Sequence, residues 1–104
     1  MQKKLTELAH KLILKDERVL KVILFGSLAE GSYSPHSDAD LLIIITGDKR
    51  RPMDRIPEYL LHFLPAGISI DIFPFTSQEI LEENRKPFFN RILKTAITLA
   101  ERKD

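Results

Sequence analysis

Three short runs of β-branched and large apolar residues alternate in this sequence with segments that repeat apolar residues at helical spacing. The runs cover residues 19–25, 40–45 and 68–73. Runs of this length, bounded by glycine or polar residues, are typical of strands buried inside a domain. Their alternation with helices predicts an α/β (α+β) chain, in which helices cover a small mixed β-sheet.

Helical segments separate these runs. Residues 3–15 repeat apolar side chains at helical spacing, which predicts an amphipathic first helix. Pro52 suits the first turn of a second helix, although Pro57 favours a later start. The apolar stripe of that helix is formed by Met53, Ile56, Leu60 and Phe63.

Shorter signals follow in the second half of the chain. Thr76 and Glu79 have the spacing of a capping box, which predicts the start of a helix. Pro87 suits the first turn of a further helix, and residues 97–99 favour a short last strand. Most aromatic rings are predicted to lie in the core, namely those of Phe25, Phe63, Phe73, Phe75, Phe88 and Phe89.

Length and composition narrow the functional classes. A chain of 104 residues is expected to form one domain, residues 1–104. A formal net charge of +1 argues against a generally basic surface for nucleic acid. Since the chain has no cysteine, neither a disulfide nor a thiolate metal site can form. No signal peptide and no bilayer-spanning run is recognisable, so a cytoplasmic protein without a membrane partner is expected.

A candidate phosphate-binding turn follows the first predicted strand. Gly26 has no Cβ, so a phosphate can approach its backbone closely, and the Ser27 hydroxyl can donate to a phosphate oxygen. A short helix within residues 26–31 would add unpaired amides at its start. Taken alone, the pattern fits a serine-capped turn without a ligand equally well, and the ending of a Walker A loop is absent.

Three aspartates are the candidate catalytic and metal-binding residues. Asp38 and Asp40 are two residues apart at the head of a strand, so their side chains point the same way. Asp71 interrupts another aliphatic strand, on the face opposite Ile70 and Ile72. If the two strands are neighbours, the three carboxylates converge.

Converging carboxylates need a cation, because two unit charges about 4 Å apart repel by roughly 4 kcal/mol at an effective dielectric of 20. Oxygen ligands without His or Cys suit Mg²⁺, with Mn²⁺ as the alternative, and disfavour Zn²⁺. Two such ions would activate an attacking hydroxyl and neutralise a leaving pyrophosphate. Taken singly, Asp38 is equally well interpreted as a turn cap, Asp40 as a strand end and Asp71 as a solvated surface residue.

Residues 26–31 (GSLAEG) and 37–41 (SDADL) resemble the signature of the DNA polymerase β nucleotidyltransferase superfamily. Asp71, in its Ile-Asp-Ile setting, matches the third acidic position. The short chain is most similar to the minimal nucleotidyltransferases, and the resemblance covers nearly its whole length. It implies the polymerase β-like nucleotidyltransferase fold.

The resemblance also implies a reaction and a partner. A nucleoside monophosphate, with AMP from ATP as the expected case, would be transferred to an acceptor hydroxyl with release of pyrophosphate. Gly26 and Ser27 would hold the phosphates, Asp38 and Asp40 both metal ions, and Asp71 the catalytic ion and the acceptor proton. Minimal members are often paired with a helical HEPN-type protein, in pairs that resemble toxin–antitoxin systems. The expected partner is therefore a HEPN-type toxin, with a second copy of the chain as the alternative.

Glu30 keeps a second interpretation open. Many relatives carry a basic residue in its place, and a carboxylate near a triphosphate opposes nucleotide binding. This favours the alternative that the chain masks a toxic partner without chemistry. Basic residues such as Arg50 and Arg51 could compensate, although each is more typical of solvated surface charge.

Overall fold

The structure of the protein, a computed structural model, describes residues 2–26, 39–82 and 86–103. The first half comprises α1 (Gln2–Lys15), β1 (Val19–Phe25), β2 (Ala39–Ile45) and α2 (Pro52–Phe63). A 3-10 turn (Leu64–Ala66) leads to β3 (Ile70–Thr76), α3 (Ser77–Ile80), α4 (Lys86–Ile92) and β4 (Ile97–Glu101). Among the helices in these described ranges, none has the length and apolar character that crossing a bilayer requires.

The strands form one sheet in the order β3-β2-β1-β4. β1 pairs antiparallel with β2 and with β4, whereas β2 and β3 run parallel to each other. Parallel neighbours need a crossover connection, and α2 lies between β2 and β3 in the chain. The predicted mixed sheet covered by helices is therefore confirmed.

Each face of the sheet carries its own apolar cluster. Leu41, Ile43 and Ile45 of β2 join the larger cluster, which includes the buried faces of α1 and α2. Leu42 of β2 joins the smaller cluster, which includes Phe89 of α4. This division follows from the alternation of side chains along a strand. The predicted burial of β2 on both faces is thus explained by helices on both sides.

The start of α2 at Pro52 is as predicted, whereas its apolar stripe differs in part. The helix begins at Pro52 and continues through Pro57, because a proline in the second turn removes only one helical hydrogen bond, to the carbonyl of Met53. Met53 is 75% exposed and does not belong to the apolar stripe. The fully buried residues of α2 have a spacing of four and are Arg55, Tyr59 and Phe63. Ile56 and Leu60 of the predicted stripe are partly buried and pack against the larger cluster.

β3 begins two residues later than predicted and continues through Pro74 to Thr76. A proline has no amide hydrogen and cannot donate to a strand on both sides. β3 lies at the edge of the sheet, with β2 as its neighbour, so the missing donor at Pro74 can face away from the sheet. After β3, the Thr76 side chain accepts from the Glu79 amide and the Glu79 carboxylate accepts from the Thr76 amide, which confirms the capping box.

Arg55 joins the segments that follow β2 and β3. Its side chain is 1% exposed, and its guanidinium donates to the main-chain oxygens of Pro74 and Asp48, both at 3.0 Å, and of Arg50. It also pairs with the Glu79 carboxylate at 2.7 Å. A buried cation is tolerated only when it is paired and hydrogen-bonded in this way, so these contacts fix the C-terminal ends of both strands.

The Asp48 carboxylate belongs to the same network and makes stability sensitive to acid. Hydrogen bonds from Arg50 lower the pKa of Asp48 from 3.8 to about 2, against the opposing effect of burial. Because the folded pKa is below the ordinary value, the unfolded chain binds the proton more tightly. The stabilisation is therefore complete above about pH 5 and is lost as the pH falls towards 2.

We expect this group to contribute about 2 kcal/mol to the acid-induced loss of stability. The Asp48→Asn variant should be less stable at pH 7, and its free energy of unfolding should fall by about 2 kcal/mol less between pH 5 and pH 2. Urea unfolding of both proteins across this range measures the difference. Equal pH slopes would show that Asp48 is not held ionised by Arg50.

Candidate active site

Asp40 and Asp71 are direct neighbours at the amino ends of β2 and β3. The parallel register pairs Ala39 with Ile70 and Asp40 with Asp71. Side chains at paired positions of parallel strands stand on the same face, and adjacent strands lie about 4.8 Å apart. The two carboxylates therefore stand side by side at the start of both strands.

The acid pair lies on the face of the sheet opposite the larger apolar cluster. Leu41 and Ile72, which follow the two aspartates, point to the other side and are buried there. Asp40 is half-buried and Asp71 is exposed. The same alternation that buries the aliphatic residues thus leaves the carboxylates open to a ligand from solvent.

Gly26 completes this arrangement from the end of β1. Phe25, the residue before it, is the register partner of Asp40. A Cβ added to Gly26 would lie 2.2 Å from the Oδ2 atom of Asp40, and the φ angle of Gly26 is +83°. The sequence suggested that Gly26 leaves room for a phosphate. In the structure its missing side chain also makes room for the Asp40 carboxylate, which no local sequence signal could reveal.

Two of the predicted site residues, Asp38 and Ser27, lie outside the described residues. So do Glu30 and residues 27–31 of the predicted short helix. The roles assigned to Asp38 and Ser27 therefore remain predictions from the sequence. Of the five predicted site residues, the structure brings together Gly26, Asp40 and Asp71.

The adjacent carboxylates fit a hard divalent cation. Two unit charges about 4 Å apart repel by roughly 4 kcal/mol at an effective dielectric of 20, and a cation bound between two such carboxylates offsets the repulsion. Oxygen donors are the ligands that Mg²⁺ and Mn²⁺ prefer. Within the described residues, no group of three or more His, Asp or Glu side chains is placed to hold a metal ion. The described part of the site thus contains two of the three predicted acidic ligands, Asp40 and Asp71.

A cavity of about 610 Å³ lies at the other end of the same two strands. Its lining includes Asp48, Arg55 and Glu79. The two carboxylates are already paired with arginines, Asp48 with Arg50 at 2.6 Å and Glu79 with Arg55 at 2.7 Å. Because these carboxylates already form ion pairs with arginines, they stabilise the fold and are not available to a ligand. This cavity is therefore not the candidate active site.

The positions of Arg50 and Arg51 exclude phosphate binding by these two basic residues at the candidate active site. Arg50 and Arg51 follow the carboxyl end of β2, whereas Asp40 lies at its amino end. Arg50 also pairs with Glu58 at 2.8 Å, and Arg51 pairs with Asp54 at 3.0 Å. Arg51 therefore acts as a surface charge, in line with the simpler interpretation of the sequence, whereas Arg50 is held by Asp48 and Glu58.

Comparison with known proteins identifies the family. Residues 7–93 match the nucleotidyltransferase domain family, and the chain belongs to it. No curated protein matches the sequence. The match covers the described site residues Gly26, Asp40 and Asp71, which confirms the resemblance seen in the sequence.

Solved structures share the fold of this chain. One is a protein from Sulfolobus solfataricus provisionally classed as a nucleotidyltransferase, with 22% identity and a TM-score of 0.68 over 98% of this chain and 81% of that one. A minimal nucleotidyltransferase, also provisionally classed, has 26% identity and a TM-score of 0.59 over 88% and 86%. A complex of a tri-AMPylated HEPN toxin with an MNT antitoxin from Shewanella oneidensis has 14% identity and a TM-score of 0.58 over 98% and 74%.

The contact between Gly26 and Asp40 generates a test with a matched control. Gly26 and Gly67 both have positive φ angles, +83° and +73°, so alanine costs about 1–2 kcal/mol at either position. At Gly67 an added Cβ meets nothing within 4 Å, whereas at Gly26 it displaces the Asp40 carboxylate. We expect both variants to lose similar stability, and only Gly26→Ala to lose affinity for Mn²⁺. Thermal unfolding and calorimetric titration measure the two effects, and equal Mn²⁺ affinities would contradict the assignment.

Proposed function

We propose that this protein is a metal-dependent nucleotidyltransferase that transfers a nucleoside monophosphate from a triphosphate to an acceptor hydroxyl. The observation that carries the proposal is the register of β2 and β3, which sets Asp40 beside Asp71. Gly26 lies against the same carboxylate at the end of the neighbouring strand. Membership of the nucleotidyltransferase domain family supports this reaction class.

The residues of the chain have distinct tasks in this reaction. The acceptor oxygen forms a bond to the α-phosphorus, and the bond from that phosphorus to the pyrophosphate oxygen breaks. Asp71 is exposed and takes the proton of the acceptor hydroxyl, so the hydroxyl attacks as the stronger nucleophile. Asp40 is half-buried and would hold, from within the sheet, the cation that neutralises the reactive phosphate.

Divalent cations are the cofactors that this site calls for. Asp40 and Asp71, with Asp38 as a further predicted ligand, would hold two Mg²⁺ ions, and Mn²⁺ is the alternative. When bound, such ions supply charge neutralisation for the triphosphate and the leaving pyrophosphate. Gly26 keeps the Asp40 carboxylate in place, because any other residue would compete with it for space.

We propose ATP as the donor and a HEPN-type helical toxin as the acceptor, which makes the protein a protein adenylyltransferase and an antitoxin. The AMPylated state of the HEPN toxin in the Shewanella complex supports both proposals, since that complex contains an antitoxin of the same fold.

Single substitutions in the acid pair test the reaction. The protein is incubated with Mg²⁺, ATP labelled at the α-phosphate and the product of the neighbouring gene. We expect label on the partner, and a loss of about 100-fold or more in the rate of transfer by Asp40→Asn or Asp71→Asn. Asp54→Asn is the matched control, because Asp54 is exposed and pairs only with Arg51 among the contacts described for it. No label on any partner with several nucleotides would refute the proposal.

The same variants separate catalysis from masking, the interpretation that Glu30 favours. If the protein neutralises its partner by chemistry, co-expression of Asp40→Asn with the toxin should fail to rescue growth. If it only covers the toxin, rescue should persist, because the carboxylate-to-amide change leaves the shape of the protein intact. Co-purification of the variant with the partner verifies that the two proteins still bind.

A further inference from the structure

A row of phenylalanine rings borders the acid pair. Phe25 is the register partner of Asp40, and Phe73 lies two residues after Asp71 on β3. Paired residues, and residues two apart in a strand, share a face of the sheet, so both rings stand on the face that carries the carboxylates. The ring centroids are 5.3 Å apart, although the two strands are separated by β2. The rings therefore meet over β2, next to Asp40.

Phe88 of α4 extends this row to the surface. Its ring centroid lies 6.4 Å from that of Phe73 and 5.2 Å from that of Phe89. Phe89 is buried in the smaller apolar cluster, whereas Phe88 remains 43% exposed. Packing explains the position of Phe89 but leaves much of the Phe88 ring in contact with solvent. The sequence had placed this residue among the mainly buried rings, and its exposure shows that this was wrong for Phe88.

We propose that Phe88 stacks against the base of the bound nucleoside triphosphate. The inference rests on the proposed function, in which Asp40 and Asp71 would hold the cations that bind the phosphate end of the nucleotide. The base lies at the opposite end of the same molecule, so it must contact a surface next to the acid pair. The aromatic row supplies such a surface, apolar and uncharged, with Phe88 as its exposed ring.

Stacking on a phenylalanine ring determines what kind of specificity the site has. Every base presents a π-face, so any base can stack on the ring, and the strength of stacking sets the preference among bases. A larger purine ring system covers more of an aromatic side chain than a pyrimidine does. We therefore expect purine nucleoside triphosphates to bind more tightly than pyrimidine ones, without exclusion of either.

The experiment compares two ligands that share the triphosphate and differ in the base. ATP and inorganic tripolyphosphate, each with Mg²⁺, are titrated calorimetrically into the wild-type protein and into Phe88→Leu. Leucine keeps an apolar contact with Phe73 and removes the ring. We expect the Kd for ATP to rise about tenfold in the variant, and the Kd for tripolyphosphate to stay unchanged.

A second variant gives a direct signal that is independent of activity and of lost packing. The chain has no tryptophan, so Phe88→Trp introduces a single indole. We expect ATP to quench its fluorescence, tripolyphosphate to leave it unchanged, and the affinity for ATP to match or exceed that of the wild type. Leu93→Ala is the matched control, because Leu93 is 45% exposed just after α4 and should leave binding of both ligands unaltered.

The outcomes distinguish this inference from the proposed function. If Phe88→Leu binds ATP as the wild type does and ATP fails to quench Phe88→Trp, the stacking role is refuted. Tripolyphosphate binding that depends on Asp40 would, in that case, leave the proposed function intact. If the wild type binds neither ligand in the presence of Mg²⁺, the proposed function fails and the stacking role fails with it.

Discussion

The parallel pairing of β2 with β3 in one register is the constraint on which the core and the candidate site both depend. Leu41, Ile43 and Ile45 are buried against the helices on one face, and a slip of one residue would turn all three to the other face. The same register sets Asp40 beside Asp71. Burial of apolar residues thus fixes the register that places the two carboxylates next to each other.

The charged side chains at the two ends of the β2–β3 pair are arranged differently. At the carboxyl ends, Arg50 and Arg55 pair with Asp48 and Glu79, and the pKa values of both carboxyls are lowered. Removal of Glu79 would leave the buried Arg55 without its closest charged partner, so this end serves stability. At the amino ends, two acids of the same sign are adjacent and one is exposed. Adjacent carboxylates of this kind suit a hard cation, so this end of the strand pair is the candidate site.

Local sequence patterns predicted the bounds of helices and strands better than they predicted which residues are buried or lie at the edge of the sheet. The bounds of β1 and the capping box at Thr76 were correct, because apolar runs and cap spacing are local signals. Burial of Arg55 could not be predicted, since its compensating partners, Glu79 and the carbonyl of Pro74, lie 24 and 19 residues away along the chain. The extension of β3 through Pro74 was likewise missed, because only the order of the strands shows that β3 is an edge.

The sequence predicted only part of the geometry of the candidate site. Alternation along each strand predicted the faces of Asp40 and Asp71, but their adjacency depends on strand order, which no local pattern carries. At Gly26, the space that a Cβ would fill is occupied by a side chain of the protein itself, the carboxylate of Asp40. This use is compatible with phosphate binding, since a turn without a side chain exposes its backbone as well. Gly26 would then position the acid and admit the triphosphate together, so that any side chain at this position would disturb both parts of the site.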